Sequence, residues 1–297
     1  MKVALTGSHG LIGSALADRL AGAGHQVVKL VRGPAGPGEV QWDPSRGSID
    51  AAALEGVDAA VHLAGAGVGD HRWTAAYKAK VLASRVDGTT LLAKTLATLS
   101  PTPRTLLSGS AVGFYGDRGD VELTESSPPG RGFLADLCIQ WEEATGAAES
   151  AGIRVVHLRT GIVMSGQGGA LKKQLPLFKF GLGGRLGSGR QYLSWIALAD
   201  ELAAIEHCLT TPTIRGPVNL TAPGPVTNAS FTAALGRAVH RPALLAVPAF
   251  ALRLALGREF ADEALLGGQR VLPGLLGASG YTFRLPRLDD ALRASIA

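Results

Sequence analysis

The chain has 297 residues, of which 46% are hydrophobic and 18% charged, so it can bury a large core and is not a disordered chain. Its 29 Lys and Arg against 24 Asp and Glu give a net charge of +5, but the basic residues are scattered, which favours a solvated surface over a nucleic-acid site. Cys138 and Cys208 have no metal or disulfide spacing, and no apolar run reaches the roughly 18 residues of a membrane span. We therefore expect a cytoplasmic protein with no metal, no nucleic-acid partner and no membrane partner.

Strands and helices alternate over the first 160 residues. Short β-rich runs occupy 2–6, 27–31, 57–63, 104–108 and 153–158, and apolar residues at helical spacing occupy 11–20, 73–99 and 133–151. Such alternation is typical of a parallel sheet with helices on both faces. The sequence predicts an α/β fold with a doubly wound parallel sheet, the Rossmann arrangement.

The alternation breaks after Thr160. Residues 166–189 are rich in Gly, Lys and Arg and predict a loop with a short helix, followed by a strand at 193–196, a helix at 200–209 and a strand at 217–220. From Asn228 the chain is mainly helical in pattern. We expect a main domain of residues 1–165, to which 192–222 return. Residues 166–191 and 223–297 are expected to form a smaller, mostly helical region on the substrate side, acting as a lid.

A glycine-rich loop lies between the first strand and the first helix. Glycine can serve a tight turn for backbone reasons alone, but three glycines here are three residues apart within a β-α-β unit. In that context the first allows a sharp turn, the second lets the backbone approach a diphosphate and the third packs the helix on the sheet. The loop therefore predicts a dinucleotide site at the helix N-terminus, with contacts from Gly7, Ser8, His9, Gly10, Leu11, Ile12 and Gly13.

The end of the second strand indicates which dinucleotide is bound. NAD sites usually carry an acid there, whereas an Arg accommodates a 2′-phosphate. This chain has Arg32 after Val31 and no acid from 27 to 32. NADP(H) is thus favoured over NAD(H), with the 2′-phosphate on Arg32 and the adenine near Trp42 or Asp43. The alternative is an ordinary solvent-facing Arg at a strand end.

Several segments in the same order resemble the extended short-chain dehydrogenase/reductase family. The glycine loop resembles its T-G-x-x-G-x-x-G motif, 62–65 its H-x-A-[GA], 108–116 its S-S-x-x-x-Y-G, 159–161 its R-x-G turn and 194–201 its V-H-V-D-D segment. Segments at 42–44, 113–119 and 268–271 resemble an atypical, NAD(P)-dependent epimerase/dehydratase-like branch with its own C-terminal domain of unknown function. The resemblance implies that further cofactor contacts come from Leu63, Ala64, Gly65, Arg85, Ser108, Thr160 and Gly161.

The chain departs from this family at its usual acid–base pair, Y-x-x-x-K. The residues four positions after Tyr77, Tyr115, Tyr192 and Tyr281 are Val, Gly, Ile and Leu. Alignment of the third helix on Trp141-Glu142 places Phe133 or Leu134 at the Tyr position and Leu137 or Cys138 at the Lys position. Ser110 resembles the family's substrate-orienting Ser. We therefore take Ser110 and Tyr115, the nearest substitute acid, as the catalytic candidates.

Two functions remain open. One is an NADP-dependent oxidoreductase or epimerase with a small-molecule substrate, which is anionic if the Lys and Arg of 166–190 point inward. The other is a catalytically silent NADP-binding sensor or interaction protein. The sequence has no G-x-S-x-G, no G-x-x-x-x-G-K-[ST] and no H-E-x-x-H, so a serine hydrolase, a P-loop nucleotidase and a zinc enzyme are excluded.

Overall fold

A computed structural model describes residues 1–296 of the chain. Its strands are β1 Lys2–Thr6, β2 Gln26–Val31, β3 Glu39–Asp43, β4 Ser48–Ile49, β5 Ala59–His62, β6 Thr105–Ala111, β7 Glu122–Leu123, β8 Arg154–Thr160, β9 Ile162–Met164, β10 Gly184–Leu186, β11 Tyr192–Leu193, β12 Trp195–Ala197, β13 Gly216–Leu220, β14 Val226–Thr227, β15 Leu245–Val247 and β16 Arg270–Val271. Its helices are α1 Leu11–Gly22, α2 Ala75–Thr98, α3 Phe133–Glu143, α4 Gly146–Ser150, α5 Gly169–Lys179, α6 Leu198–Thr210, α7 Asn228–Ala238, α8 Ala249–Leu256, α9 Arg258–Phe260, α10 Gly274–Ala278 and α11 Leu288–Ile296.

The main sheet has eight strands in the order β13-β8-β6-β5-β1-β2-β3-β4. Strand β1 pairs in parallel with β2 and β5, β5 with β6, and β2 with β3. The short edge strand β4 runs antiparallel to β3. Val3, Ala4 and Leu5 of β1 are at most 1% exposed, because helices cover both faces of a central parallel strand. The predicted doubly wound parallel sheet is confirmed.

Two predicted elements are each divided in the structure. The helix expected over 133–151 is two helices, α3 and α4, and Thr145 lies between them. Its hydroxyl donates to the Glu142 carbonyl oxygen at 2.7 Å, so the side chain competes with the helical backbone pattern. The strand expected over 193–196 is likewise two strands, because β11 pairs antiparallel with β14 whereas β12 pairs in parallel with β9.

Residue contacts divide the chain into two compact units. Unit 1 comprises 1–110, 137–158 and 205–217, and unit 2 comprises 111–136, 159–204 and 218–297. The sequence predicts 111–136, 159–165 and 192–222 as parts of the main domain, whereas the contacts assign 111–136, 159–204 and 218–222 to unit 2. Unit 2 has its own core around Trp195, Phe231 and Leu235, each at most 2% exposed.

No helix within residues 1–296 is long and apolar enough to span a bilayer.

Candidate functional site

The glycine loop is a tight turn that leaves the N-terminus of α1 open. Gly7 adopts a φ of +69°, and the Gly10 amide donates to its carbonyl oxygen at 2.9 Å. A Cβ on Gly13 would lie 2.1 Å from that same oxygen, so helix and loop touch backbone to backbone. His9 and Gly10 are exposed. The first turn of α1 carries no acidic side chain, so its backbone amides can donate hydrogen bonds to a phosphate.

Thr6 and His62 hold the loop that follows β5 next to the glycine loop. The Thr6 hydroxyl oxygen accepts the backbone amides of Leu63 and Ala64 at 3.1 and 3.2 Å. Its proton is therefore directed to His62 Nδ1, 2.7 Å away, which places the imidazole proton on Nε2. Burial, aided by the positive charge of Arg85, lowers the pKa of His62 to about 4. His62 is thus a neutral structural group that orients Leu63 and Ala64.

Arg85 on α2 supports the same loop from the other side. Its guanidinium donates to the carbonyl oxygens of Ala66 at 2.9 Å and Val81 at 3.2 Å and lies 4.9 Å from the centre of the Trp141 ring. Burial lowers the pKa of Arg85. A Cβ on Gly65 would lie 3.2 Å from the guanidinium carbon, so Gly65 and Arg85 are in contact. This geometry gives Arg85 a buried structural role, and its expected cofactor contact stays a prediction.

The structure distinguishes the residues expected at the adenosine end. Arg32 is exposed at the end of β2, as a 2′-phosphate ligand must be. Trp42 is only 3% exposed and packs edge-on against His62, with ring centroids 5.9 Å apart. The Trp42 ring thus belongs to the core, and the expectation that the adenine lies near Trp42 or Asp43 stays a prediction. The Asp43 carboxylate caps a short 3-10 turn through Ser45 N at 3.0 Å and Ser45 Oγ at 2.6 Å.

Ser110 and Glu142 form a short hydrogen bond within unit 1. Ser110 lies near the carboxyl end of β6, the edge at which doubly wound sheets bind ligands, and is 5% exposed. Its hydroxyl donates to Glu142 Oε1 at 2.6 Å. Ser108, also expected at the site, lies further inside β6 opposite His62 and is fully buried. Of the two serines, Ser110 is the one whose hydroxyl is hydrogen-bonded to a carboxyl group.

His157 extends this pair into a chain of polar groups. Its Nδ1 lies 3.9 Å from Glu142 Oε2, the distance of an ion pair when the ring is protonated. Thr145 gives its proton to the Glu142 carbonyl oxygen, so its own oxygen accepts from His157 Nε2 at 3.0 Å. Ser110, Glu142, Thr145 and His157 therefore form a continuous polar cluster. Sequence reasoning used Glu142 only as an alignment anchor and missed this cluster, because Ser110 and Glu142 are 32 residues apart.

Tyr115 lies in unit 2 and is fully buried. Its hydroxyl donates to Asn219 Oδ1 at 2.7 Å and accepts from Arg159 Nη1 at 3.0 Å. Burial raises the pKa of the phenol, although Arg159 and Asn219 oppose the increase. A buried phenol with both partners supplied by the protein favours a structural role, so the geometry does not support Tyr115 as the substitute acid.

Thr160 and Gly161, expected at the nicotinamide end, are committed to contacts inside unit 2. The Thr160 hydroxyl donates to Glu201 Oε1 at 3.0 Å, and the Gly161 amide donates to the Leu220 carbonyl oxygen at 3.0 Å. A Cβ on Gly161 would lie 2.7 Å from the Ser194 carbonyl oxygen. Protein packing is therefore sufficient to explain this glycine. Their expected cofactor contacts stay predictions.

Glu201 is a second titratable group that sequence reasoning missed. It is fully buried on α6, and its Oε2 has no hydrogen-bond partner in residues 1–296. Burial raises the pKa of Glu201 to about 8, although the Thr160 hydrogen bond opposes the increase. The carboxyl group is thus largely protonated at neutral pH. No cluster of His, Cys, Asp and Glu in the same described range could hold a metal ion.

The fold, the glycine loop and the loop after β5 that Thr6 holds beside it define a Rossmann protein of the short-chain dehydrogenase/reductase type. The model of the NAD dependent epimerase/dehydratase family matches residues 3–213, and that of a domain of unknown function (DUF1731) matches residues 247–295. The chain belongs to the NAD dependent epimerase/dehydratase family. The resemblance drawn from the motifs, including the separate C-terminal domain, is confirmed.

Similar proteins cover the whole length of the chain. The epimerase family protein Mb2239 of Mycobacterium bovis is 48% identical over 98% of this chain and 96% of its own length. The crystal structure of human epimerase family protein SDR39U1 with NADPH has a TM-score of 0.92 at 35% identity and covers 99% of each chain. The nucleoside-diphosphate sugar epimerase of Corynebacterium glutamicum has a TM-score of 0.82 at 37% identity over 100% of this chain and 58% of its own.

Proposed function

We propose that this chain binds NADPH and acts as an oxidoreductase or epimerase in which Ser110 and Glu142 replace the missing Tyr-x-x-x-Lys pair. The short Ser110–Glu142 hydrogen bond carries the proposal, because it joins a hydroxyl group at the ligand-binding edge of the sheet to a carboxyl group that can hold its proton. The similarity to a human protein solved with NADPH supports the choice of cofactor.

The residues of unit 1 fit a dinucleotide. The open N-terminus of α1 would receive the diphosphate, and the exposed Arg32 guanidinium would pair with the 2′-phosphate. Leu63 and Ala64, fixed by Thr6, would contact the nicotinamide-side ribose. When bound, the cofactor supplies or accepts a hydride.

Ser110 and Glu142 would carry the proton that the substrate gains or loses together with the hydride. In the reducing direction the Ser110 hydroxyl gives its proton to the substrate carbonyl oxygen, and a proton taken up from solvent returns to Ser110 Oγ through Glu142. In the oxidising direction Glu142 accepts the proton through Ser110. The imidazole of His157, 3.9 Å from Glu142 Oε2, can stabilise the resulting carboxylate when it is protonated.

Ser110→Ala and Glu142→Gln test this acid–base role. Purified protein is incubated with NADPH and a panel of carbonyl compounds and nucleoside-diphosphate sugars, and both NADPH oxidation and sugar epimerisation are measured. We expect either variant to lower kcat by about 100-fold or more, the typical size of a general acid–base contribution, with NADPH affinity changed by less than about 3-fold. Glu143→Gln, an exposed neighbour on α3, is the matched control and should retain full turnover.

The panel also separates the two functions. NADPH binding without turnover of any substrate favours the silent NADP-binding protein, which the burial of Tyr115 and the missing Tyr-x-x-x-Lys pair support. If Glu142→Gln leaves turnover unchanged, the proposed role of Glu142 is wrong, but the protein is still an enzyme.

Arg32→Ala tests the cofactor assignment. The loss of one charge-assisted hydrogen-bond partner should weaken NADPH binding by roughly 10- to 100-fold, measured by calorimetry, and should leave NADH binding nearly unchanged. Arg104→Ala, an exposed cation just before β6, should change neither affinity. Equal losses for NADPH and NADH in Arg32→Ala would contradict the 2′-phosphate assignment.

A further inference from the structure

The large exposed apolar side chains of this chain are concentrated in unit 2. Of the ten that are at least 39% exposed, eight lie within 177–182 and 244–256. The most exposed are Leu244 at 90% and Phe180 at 80%. Isolated apolar residues on a surface are ordinary, but a cluster of this kind marks an interaction site.

Two segments bring part of this cluster together. Strand β10 pairs in parallel with β15, with Gly184 opposite Leu245, so the residues that precede the two strands are neighbours. The Arg241 side chain also donates to the Lys179 carbonyl oxygen at 3.2 Å. We define the basic apolar surface by its apolar residues and its cations, all exposed: Leu177, Phe180, Leu182, Leu244 and Leu245, with Lys172, Lys173, Lys179, Arg185 and Arg241.

The underlying unit holds this surface in place. Helix α5 buries Leu171, Leu175 and Phe178 in the core of unit 2, at spacings of four and three residues. Its opposite face therefore projects Lys173 and Leu177 outward. The exposure of Lys173 and Leu177 therefore follows from the way α5 packs on the core of unit 2.

The charge on this surface is of one sign. The segments 169–190 and 241–245 contain six Lys and Arg and no Asp or Glu. The whole chain has a net charge of only +5, so the remainder of the molecule is nearly neutral. A second copy docked by the same surface would place cations against cations, which opposes self-association. The complementary partner is anionic.

We propose that the basic apolar surface binds peripherally to an anionic lipid bilayer. Protruding apolar side chains that are surrounded by Lys and Arg suit the interface of such a bilayer, because the side chains enter the headgroup region and the cations remain at the anionic phosphates. Phe180 follows this pattern because it comes directly after Lys179, and Leu244 lies three residues after Arg241. The proposal goes beyond the proposed function and does not depend on it. It replaces the expectation of no membrane partner, which rested on spanning segments alone.

Vesicle sedimentation tests the proposal. The full chain is spun with vesicles of phosphatidylcholine alone and with 30% phosphatidylglycerol. We expect binding to the anionic vesicles only, weakened by added salt. Lys172→Gln/Lys173→Gln/Lys179→Gln should lower the partition coefficient by roughly 100-fold, since each cation near the surface contributes about 5-fold. Phe180→Ser/Leu244→Ser should lower it by at least about 10-fold.

Matched controls lie outside the surface. Lys80→Gln/Lys94→Gln removes two exposed cations of α2, and Val121→Ser removes a 56% exposed apolar side chain. Both control variants should bind the vesicles as the wild type does. All substituted side chains are exposed, and circular dichroism confirms folding of each variant. No binding to anionic vesicles, or equal binding by the surface variants, would overturn the proposal. The proposal would also be overturned, in favour of self-association, if sedimentation velocity showed that the wild type and the controls form dimers and the surface variants do not.

Discussion

Glu201→Gln should stabilise the protein, and the gain should grow as the pH rises. Glu201 is fully buried, and its pKa in the folded chain is about 8 against an ordinary value of 4.5. Between these two values the folded state keeps the proton and the unfolded state releases it. The wild type therefore loses stability as the pH rises from about 4.5 to about 8. Gln is neutral at every pH and does not incur this loss.

The expected size follows from the pKa difference. A change of one in pKa corresponds to about 1.4 kcal/mol, so the complete effect is about 3 to 5 kcal/mol. Between pH 5.5 and pH 8 the advantage of Glu201→Gln should increase by about 3 kcal/mol. Urea denaturation of both proteins at these two pH values measures it, and the comparison cancels all other titrating groups.

Glu206→Gln is the matched control for this experiment. Glu206 lies on the same helix α6, but it is partly exposed and forms an ion pair with Arg19 at 2.6 Å. Removing such a pair costs about 0 to 1 kcal/mol, with little difference between the two pH values. If Glu201→Gln behaved like Glu206→Gln, the carboxyl group of Glu201 would be ionised in the folded protein and the burial argument would be wrong.

Asp200 and Glu201 are adjacent buried acids of α6 that differ in the hydrogen bonds they accept. Asp200 is equally buried, but its carboxylate accepts the backbone amides of Arg284 at 2.8 Å and Leu285 at 2.9 Å. Glu201 accepts one hydrogen bond, from Thr160. Burial with so few hydrogen bonds favours the neutral form of the Glu201 carboxyl group. Two adjacent acids on one helix therefore differ in how fully hydrogen bonds satisfy their carboxyl oxygens.

Local patterns in the sequence were sufficient to place the glycine turn between the first strand and the first helix. Strand β1 and helix α1 agree with their predicted positions because the strand run, the glycine turn and the helical spacing are contiguous. The burial of Trp42 could also have been anticipated. Val40 and Trp42 are two residues apart on β3, so they share the buried face of that strand.

The long-range pairs of buried polar side chains could not be found in this way. Ser110 meets Glu142 across 32 residues, Thr160 meets Glu201 across 41, and Tyr115 meets Asn219 across 104. No spacing rule within one element links such pairs, since only the sheet order and the helix packing bring them together. The motif containing Tyr115 suggested a substitute acid, whereas the folded chain surrounds its hydroxyl with Arg159 and Asn219.

Gly13→Ala should destabilise the protein strongly, whereas Gly22→Ala at the other end of α1 should not. A Cβ on Gly13 would lie 2.1 Å from the Gly7 carbonyl oxygen and 2.7 Å from its carbonyl carbon. Both atoms are backbone, so relief requires a shift of the loop or of the helix. We expect a loss of about 3 kcal/mol in the free energy of unfolding, the upper range of overpacking effects.

Gly22→Ala adds the same methyl group to the same helix, where no atom lies within 4 Å of the new carbon. It should stabilise the chain by about 0.5 to 1 kcal/mol, because Ala has the higher helix propensity. Urea denaturation of the two variants therefore gives effects of opposite sign. Since the displaced loop carries the amide groups of the proposed diphosphate site, Gly13→Ala should also weaken NADPH binding by at least about 10-fold under conditions where it remains folded. Equal unfolding midpoints for Gly13→Ala and the wild type would show that the close contact between loop and helix is not what holds this turn.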